Sequence, residues 1–201
     1  MKTVTPVVVL AGLLLTGCGQ QTLAGSAAVV GDARLTDTEL GQTVTTLTEK
    51  LGIPASDQVS QAVLARWMVA QMVDGLAAQK GISVSKGEVD QTITDETEKS
   101  GGQEAFENGA LQAGVLPEDI ADAVRTSLLI DKLSQTTITG DDASGQTGLV
   151  TAVQALSDEL DPQVSPRFGT WDAEQLTVGA LPDDLSTPVV QTQTPQLQPA
   201  S

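Results

Sequence analysis

The chain has 201 residues, with 26 acidic against 10 basic side chains and a formal net charge of −16. That acid excess excludes nucleic acid as a partner, since phosphate binding needs clustered Lys and Arg, and the absence of histidine removes the usual zinc sets and the Ser-His and Cys-His nucleophiles. Aromatic residues are limited to Trp67, Phe106, Phe168 and Trp171, so a core has to be built from aliphatic side chains and methionine, which favours packed helices.

Lys2 precedes a run from Val4 to Leu15 that is apolar apart from Thr5, Pro6 and Gly12. The run is shorter than the roughly 20 residues of a spanning helix and suits the apolar region of a secretory signal. The lone cysteine, Cys18, follows directly. With no packed element next to it and no histidine in the chain, neither a core cysteine nor an activated nucleophile fits. Leu15-Thr16-Gly17-Cys18 resembles the lipobox of bacterial lipoproteins, in which the chain is cut before the cysteine and its sulfur receives a diacylglyceryl group. The resemblance implies a signal peptide over 1–17, lipid attachment at Cys18, and a location on the extracytoplasmic face of the bacterial cell membrane. Residues 18–26, small and polar, read as a tether. An acidic domain gains nothing from an anionic lipid surface, which leaves the acyl chains to hold it.

Ala27–Val30 and Ala33–Leu35 read as a short hairpin turning at Gly31-Asp32. Thr36 and Glu39 have capping-box spacing, and Leu35 and Leu40 take the staple positions, which predicts a helix to about Lys50 that stops at Gly52. Ser56 opens the longest helix, to about Lys80. Val59, Val63, Leu64, Trp67, Met68, Val69, Met72, Val73 and Leu76 give it an apolar surface wider than one stripe, the mark of a helix covered on several sides. Ser85 and Glu88 repeat the capping box, with Val84 and Val89 as staple, for a helix to about Glu98. A short helix over about Gln103–Gln112 follows. Pro117 at a first helical position, with Glu118 and Asp119 near the positive dipole end, starts the next, and its buried face is expected at Ile120, Val124, Leu128, Ile130 and Leu133.

The stretch TGDDASGQTG reads as a linker. Leu149–Leu160 fits one more helix, with Val150, Val153 and Leu156 on a face. Pro162 and Pro166 keep the following DPQVSPRFGTWD extended. The last part of the chain, taken from residue 176 to 201, has the composition of a disordered tail.

The ordered set of VVGDARLTDTEL, a long helix ending in AAQKGISVSKGEV, and GVLPEDIADAVRTSLLIDKL resembles the N-terminal domain of SurA/PrsA-type extracytoplasmic foldases. The resemblance covers about Ala27 to Leu133, with Gly31-Asp32 where Asn-Gly is usual. VSPRFGTWD is similar to the closing segment of some lipoprotein members, in which the chain returns to the helical domain. Complete foldases carry a parvulin-type prolyl isomerase domain of about a hundred residues there or nearby. Between Leu133 and Val164 this chain has too few residues for such a domain. The resemblance therefore implies a mainly α fold: a SurA N-terminal-like multi-helix domain over 27–175, a short hairpin, and a docked closing segment at 162–172. It implies unfolded or secreted polypeptides as clients, the membrane reached only through Cys18, and no prolyl isomerase activity.

Two readings stand for Trp67, Met68 and Met72: an adaptable apolar groove for clients, or core packing of the long helix. Two also stand for Arg167, Phe168 and Trp171: docking of the closing segment onto the helices, or a peptide-contact surface. Glu88 and Asp90, or Asp95, Glu96 and Glu98, point in different directions on a helix and have no nucleophile beside them. Asp141-Asp142 lacks the alternating ligands and the terminal Glu of a calcium loop. No catalytic residue, metal ligand or cofactor is assigned, and the chain is read as a binding module. The other class left open is an envelope lipoprotein that docks on one specific folded partner.

Overall fold

A computed structural model describes residues 23–136 and 145–181. The expected signal region 1–17, the expected lipid site Cys18, most of the expected tether and the expected tail from 182 lie outside these residues. The described part is mainly helical, as expected of a SurA N-terminal-like domain, with a small sheet at the start of the chain.

Strands β1 (Ser26–Val30) and β2 (Ala33–Thr36) form the hairpin, with Gly31 in the left-handed turn conformation at φ 56°. Every residue of β1 is buried. The tether is therefore shorter than the composition suggested: Ser26, read as its last residue, is 1% exposed and takes a hydrogen bond from Arg34.

Helix α1 (Asp37–Leu51) begins with the capping box complete, Thr36 accepting from the Glu39 N–H and Glu39 accepting from the Thr36 N–H. Two backbone donors that a helix start leaves free are thereby satisfied. Gly52 ends it at φ 66°, where a side chain would be strained. Helix α2 (Asp57–Gln79) is capped by Ser56. It runs through the middle of the described residues, packing against α1, β1, the last two helices and the last strand. Leu64, Met68, Met72 and Val73 are at most 1% exposed, and each such side chain contributes about 1.5–3 kcal/mol by leaving water.

Helix α3 (Lys86–Lys99) repeats the full capping box through Ser85 and Glu88, and α4 (Gln103–Gln112) follows after Gly101 and Gly102. Pro117–Asp119 forms a tight 3-10 turn before α5 (Ile120–Thr136). The buried positions of α5 are Ile120, Leu129 and Leu133, whereas Val124, Leu128 and Ile130 are only partly covered. A single stripe fails here because α5 lies between α3 on one side and α2 with α6 on another. Leu129, nine residues and half a revolution beyond Ile120, reaches the main apolar cluster, and Ile120 does not.

Helix α6 (Gly145–Leu160) starts inside the stretch read as linker. It buries Leu149, Val153 and Leu156 at helical spacing, leaving Val150 45% exposed rather than on the inner face. Strand β3 (Gln163–Val164) then pairs antiparallel with the free edge of β1, Ala28 opposite Val164, giving the order β2-β1-β3. Strands β4 (Thr170–Asp172) and β5 (Thr177–Gly179) make a second hairpin. The tail boundary at 176 is thus corrected: Val178 is 5% exposed, within the apolar cluster, and β5 packs on α2.

Two contacts expose the fold to a simple test. Glu88 accepts from Lys132 of α5 and from the Ser85 backbone, and these hydrogen bonds hold its carboxyl down at about 2 against an ordinary 4.5. A carboxylate depressed in this way stabilises the folded state above the ordinary value and loses that contribution as pH falls toward 2. Lys132→Met should therefore lower stability at neutral pH and flatten its fall between about pH 5 and 2, with the variant and wild-type curves converging at the acid end, measured by urea unfolding followed by circular dichroism.

Candidate functional site

The residues singled out in the sequence fall into two places. Met68 and Met72, on successive turns of α2, are both 0% exposed and sit in the apolar cluster. They offer no surface to a client, because α1, α5 and α6 already cover that face of α2. Of the three groove candidates only Trp67 keeps exposed area, and it too packs against the cluster.

Arg167, Phe168 and Trp171 are brought together by the closing segment. After α6, Asp161 takes a left-handed turn at φ 45°, and Pro162 is buried against the domain. β3 then lays the chain beside β1, and Ser165 donates its N–H to the Ala27 carbonyl at 2.8 Å. The tight turn that follows is closed by the Phe168 N–H to the Ser165 carbonyl, 2.8 Å. From its tip Arg167 reaches Asp37, at the first position of α1, at 3.3 Å, and its guanidinium lies 4.6 Å from the centre of the Phe168 ring. Phe168 and Trp171 both pack against the apolar cluster. The Trp171 indole N–H donates to the hydroxyl of Ser157 on α6 at 2.8 Å, and Ser157 is 1% exposed. The bond gives the buried hydroxyl and the half-buried indole a partner at once.

Two residues outside the sequence candidates clamp other parts of the chain onto α2. Gln61 of α2 donates from one amide nitrogen to the carbonyls of Phe168 and Gly179, each at 3.1 Å, and so holds both ends of the β4–β5 unit on the long helix. Arg66, also on α2, donates to the carbonyl of Gly114 in the loop between α4 and α5. Burial pushes the Arg66 pKa down, with Asp119 acting against that shift, while burial pushes the Asp119 carboxyl up. Neither residue carries a local spacing signal; both act across long sequence separations.

The arrangement is one of docking and packing. Among the described residues no three Cys, Asp or Glu side chains gather to hold a metal, and no helix is long and apolar enough to cross a membrane.

The family model described as the SurA-like N-terminal domain matches residues 1–134. The chain belongs to that family. The SurA-like match ends within α5, and the domain type is a chaperone domain rather than a catalytic one. α6, β3 and the β4–β5 hairpin lie beyond the matched residues yet pack onto them, α6 against α2 and α5 and β3 against β1. No parvulin domain is found in the chain. No curated protein and no solved structure matches it.

If the closing segment is part of this SurA-like domain energetically, its anchors should be costly to remove. Trp171→Ala loses ring burial and leaves the Ser157 hydroxyl unpaired, and should lower stability by about 3 kcal/mol in urea unfolding. Gly169 offers a second check without truncation. It sits at φ 134°, and a Cβ there would collide with the Gly179 carbonyl oxygen, so Gly169→Ala should destabilise by about 2 kcal/mol or more. Melting indistinguishable from wild type in both variants would mean that the segment is not part of the cooperative unit.

Proposed function

We propose that the protein is a membrane-anchored, extracytoplasmic chaperone-like lipoprotein that binds unfolded or secreted polypeptides and has no prolyl isomerase activity. The observation that carries this reading is the SurA-like N-terminal domain over residues 1–134, closed on itself by a segment from the other end of the chain. α5 ends at Thr136 and α6 begins at Gly145. The connection between them is far short of the hundred or so residues of an isomerase domain. With the methionines of α2 buried, client contact is assigned to the half-buried face that carries Trp67. The anchor is assigned to Cys18 on the lipobox-like Leu15-Thr16-Gly17-Cys18, which puts the domain outside the cell membrane.

The test is aggregation of a chemically denatured protein followed by light scattering. Near-equimolar protein should delay the rise, while the cis/trans interconversion of a short prolyl peptide should stay at its uncatalysed rate of tens to hundreds of seconds. No delay, together with saturable binding to one folded envelope protein, would replace the chaperone reading with that of a docking lipoprotein. For the anchor, Cys18→Ser should move the protein out of the membrane pellet or leave its signal uncleaved. Normal processing with full membrane retention would remove Cys18 from its role.

A further inference from the structure

Between the end of α6, the outer side of β3 and the start of β4 lies a cleft of about 470 Å³. It belongs wholly to the segment that follows the family match. Its apolar part includes Trp171, fixed in orientation by the hydrogen bond to Ser157. Its only charged lining residues are Asp158 and Asp161. Both are exposed, and among the described residues no Lys or Arg pairs with either. The nearby cation, Arg167, is engaged with Asp37 and Phe168.

The cleft also borders an unpaired strand edge. β3 is the last strand of its sheet. Ser165 is hydrogen-bonded to Ala27, and Gln163 stands opposite Val29. Antiparallel alternation therefore turns the N–H and C=O of Val164 away from β1, and Val164 is one of the residues that line the cleft. An edge of this kind recruits an extended chain by backbone pairing, and adjoining pockets select its side chains.

We propose that this cleft seats a lysine or arginine side chain of an extended polypeptide, whose backbone pairs with Val164. Two carboxylates without cations complement one positive head group, and an indole beside them favours a cation over a neutral side chain. The stem of Lys or Arg is apolar and suits the Trp171 wall. Outside the described residues, 137–144 and 182–201 contain no Lys or Arg, and the one such residue in 1–22, Lys2, would be removed with the proposed signal peptide. The occupant is a separate polypeptide. This rests on the polypeptide-binding reading above and adds to it a residue class and a place.

The test uses the full-length protein in mild detergent and short, unstructured fluorescent peptides that differ only at a central Arg, Lys, Gln or Glu. Anisotropy titration should give Arg and Lys peptides about tenfold tighter than the Gln peptide, the scale of two exposed ion pairs, with the Glu peptide weakest. High salt should erase the preference. Asp158→Asn/Asp161→Asn should erase it too, while leaving the affinity for the Gln peptide and the helical signal unchanged. Equal affinity for Arg and Gln peptides, or a preference that survives the double substitution, overturns the assignment. If that occurs while the protein still delays aggregation, the cleft assignment alone falls; if aggregation is not delayed and no peptide binds, the polypeptide-binding reading falls with it. Self-association in sedimentation that the double substitution dissolves would make a second copy the source of the cation and overturn the separate partner.

Discussion

Everything in this molecule is arranged around the need to cover α2. A helix of 23 residues with apolar side chains on most of its circumference cannot rest on one neighbour, and here α1, α5, α6, β1 and β5 all pack against it. The chain has only four aromatic residues with which to fill space, so aliphatic side chains and methionine do most of the packing. Two of the four, Phe168 and Trp171, come from the closing segment. Without α6 and the strands after it, the side of α2 that carries Gln61 and Gly75, and the free edge of β1, would face water. The SurA-like part of the chain is therefore not a closed unit until residues far beyond it have returned.

This also explains which features were legible in the sequence. Both capping boxes, the Gly52 stop and the bounds of α1 to α4 follow from rules that act over three or four residues, and Thr36, Glu39, Ser85 and Glu88 obey them in full. The centrality of α2 was legible because width of the apolar surface is itself a sequence property. What local rules cannot supply is phase against several neighbours at once. Leu129 rather than Leu128 is buried because α5 serves two layers, and the β4–β5 hairpin was missed because its strands have three residues each and turn at Leu176, a non-glycine at φ 53°. That turn is held instead by Asp172, whose carboxylate accepts from the N–H groups of Glu174 and Gln175. Asp is a residue type that closes such turns, but nothing in the neighbourhood of Asp172 marks Thr177–Gly179 as the partner strand. The aromatic content of the closing segment was the legible part, because rings left in water are costly wherever the fold places them. Gln61 and Arg66 had no such signal: a polar side chain that clamps a distant carbonyl looks, in sequence, like any surface residue.

The position of the sheet connects this architecture to the proposed anchor. β1 is the central strand, paired on one edge with the residues just after it and on the other with Gln163–Val164. The chain enters β1 through a turn in which the Ser26 N–H donates to the Leu23 carbonyl, and the Gly25 carbonyl accepts from the Asp37 N–H. Asp37 is also the partner of Arg167. The entry of the chain, the start of α1 and the tip of the closing turn thus meet at one end of the molecule. If Cys18 carries lipid as proposed, only a few residues separate it from the turn at Leu23, and this end of the molecule is the one tied to the membrane. The cleft beside β3 lies in the same closing segment. On that proposal, a polypeptide emerging across the membrane would meet the cleft at short range, and the anionic domain surface would stay off the lipid.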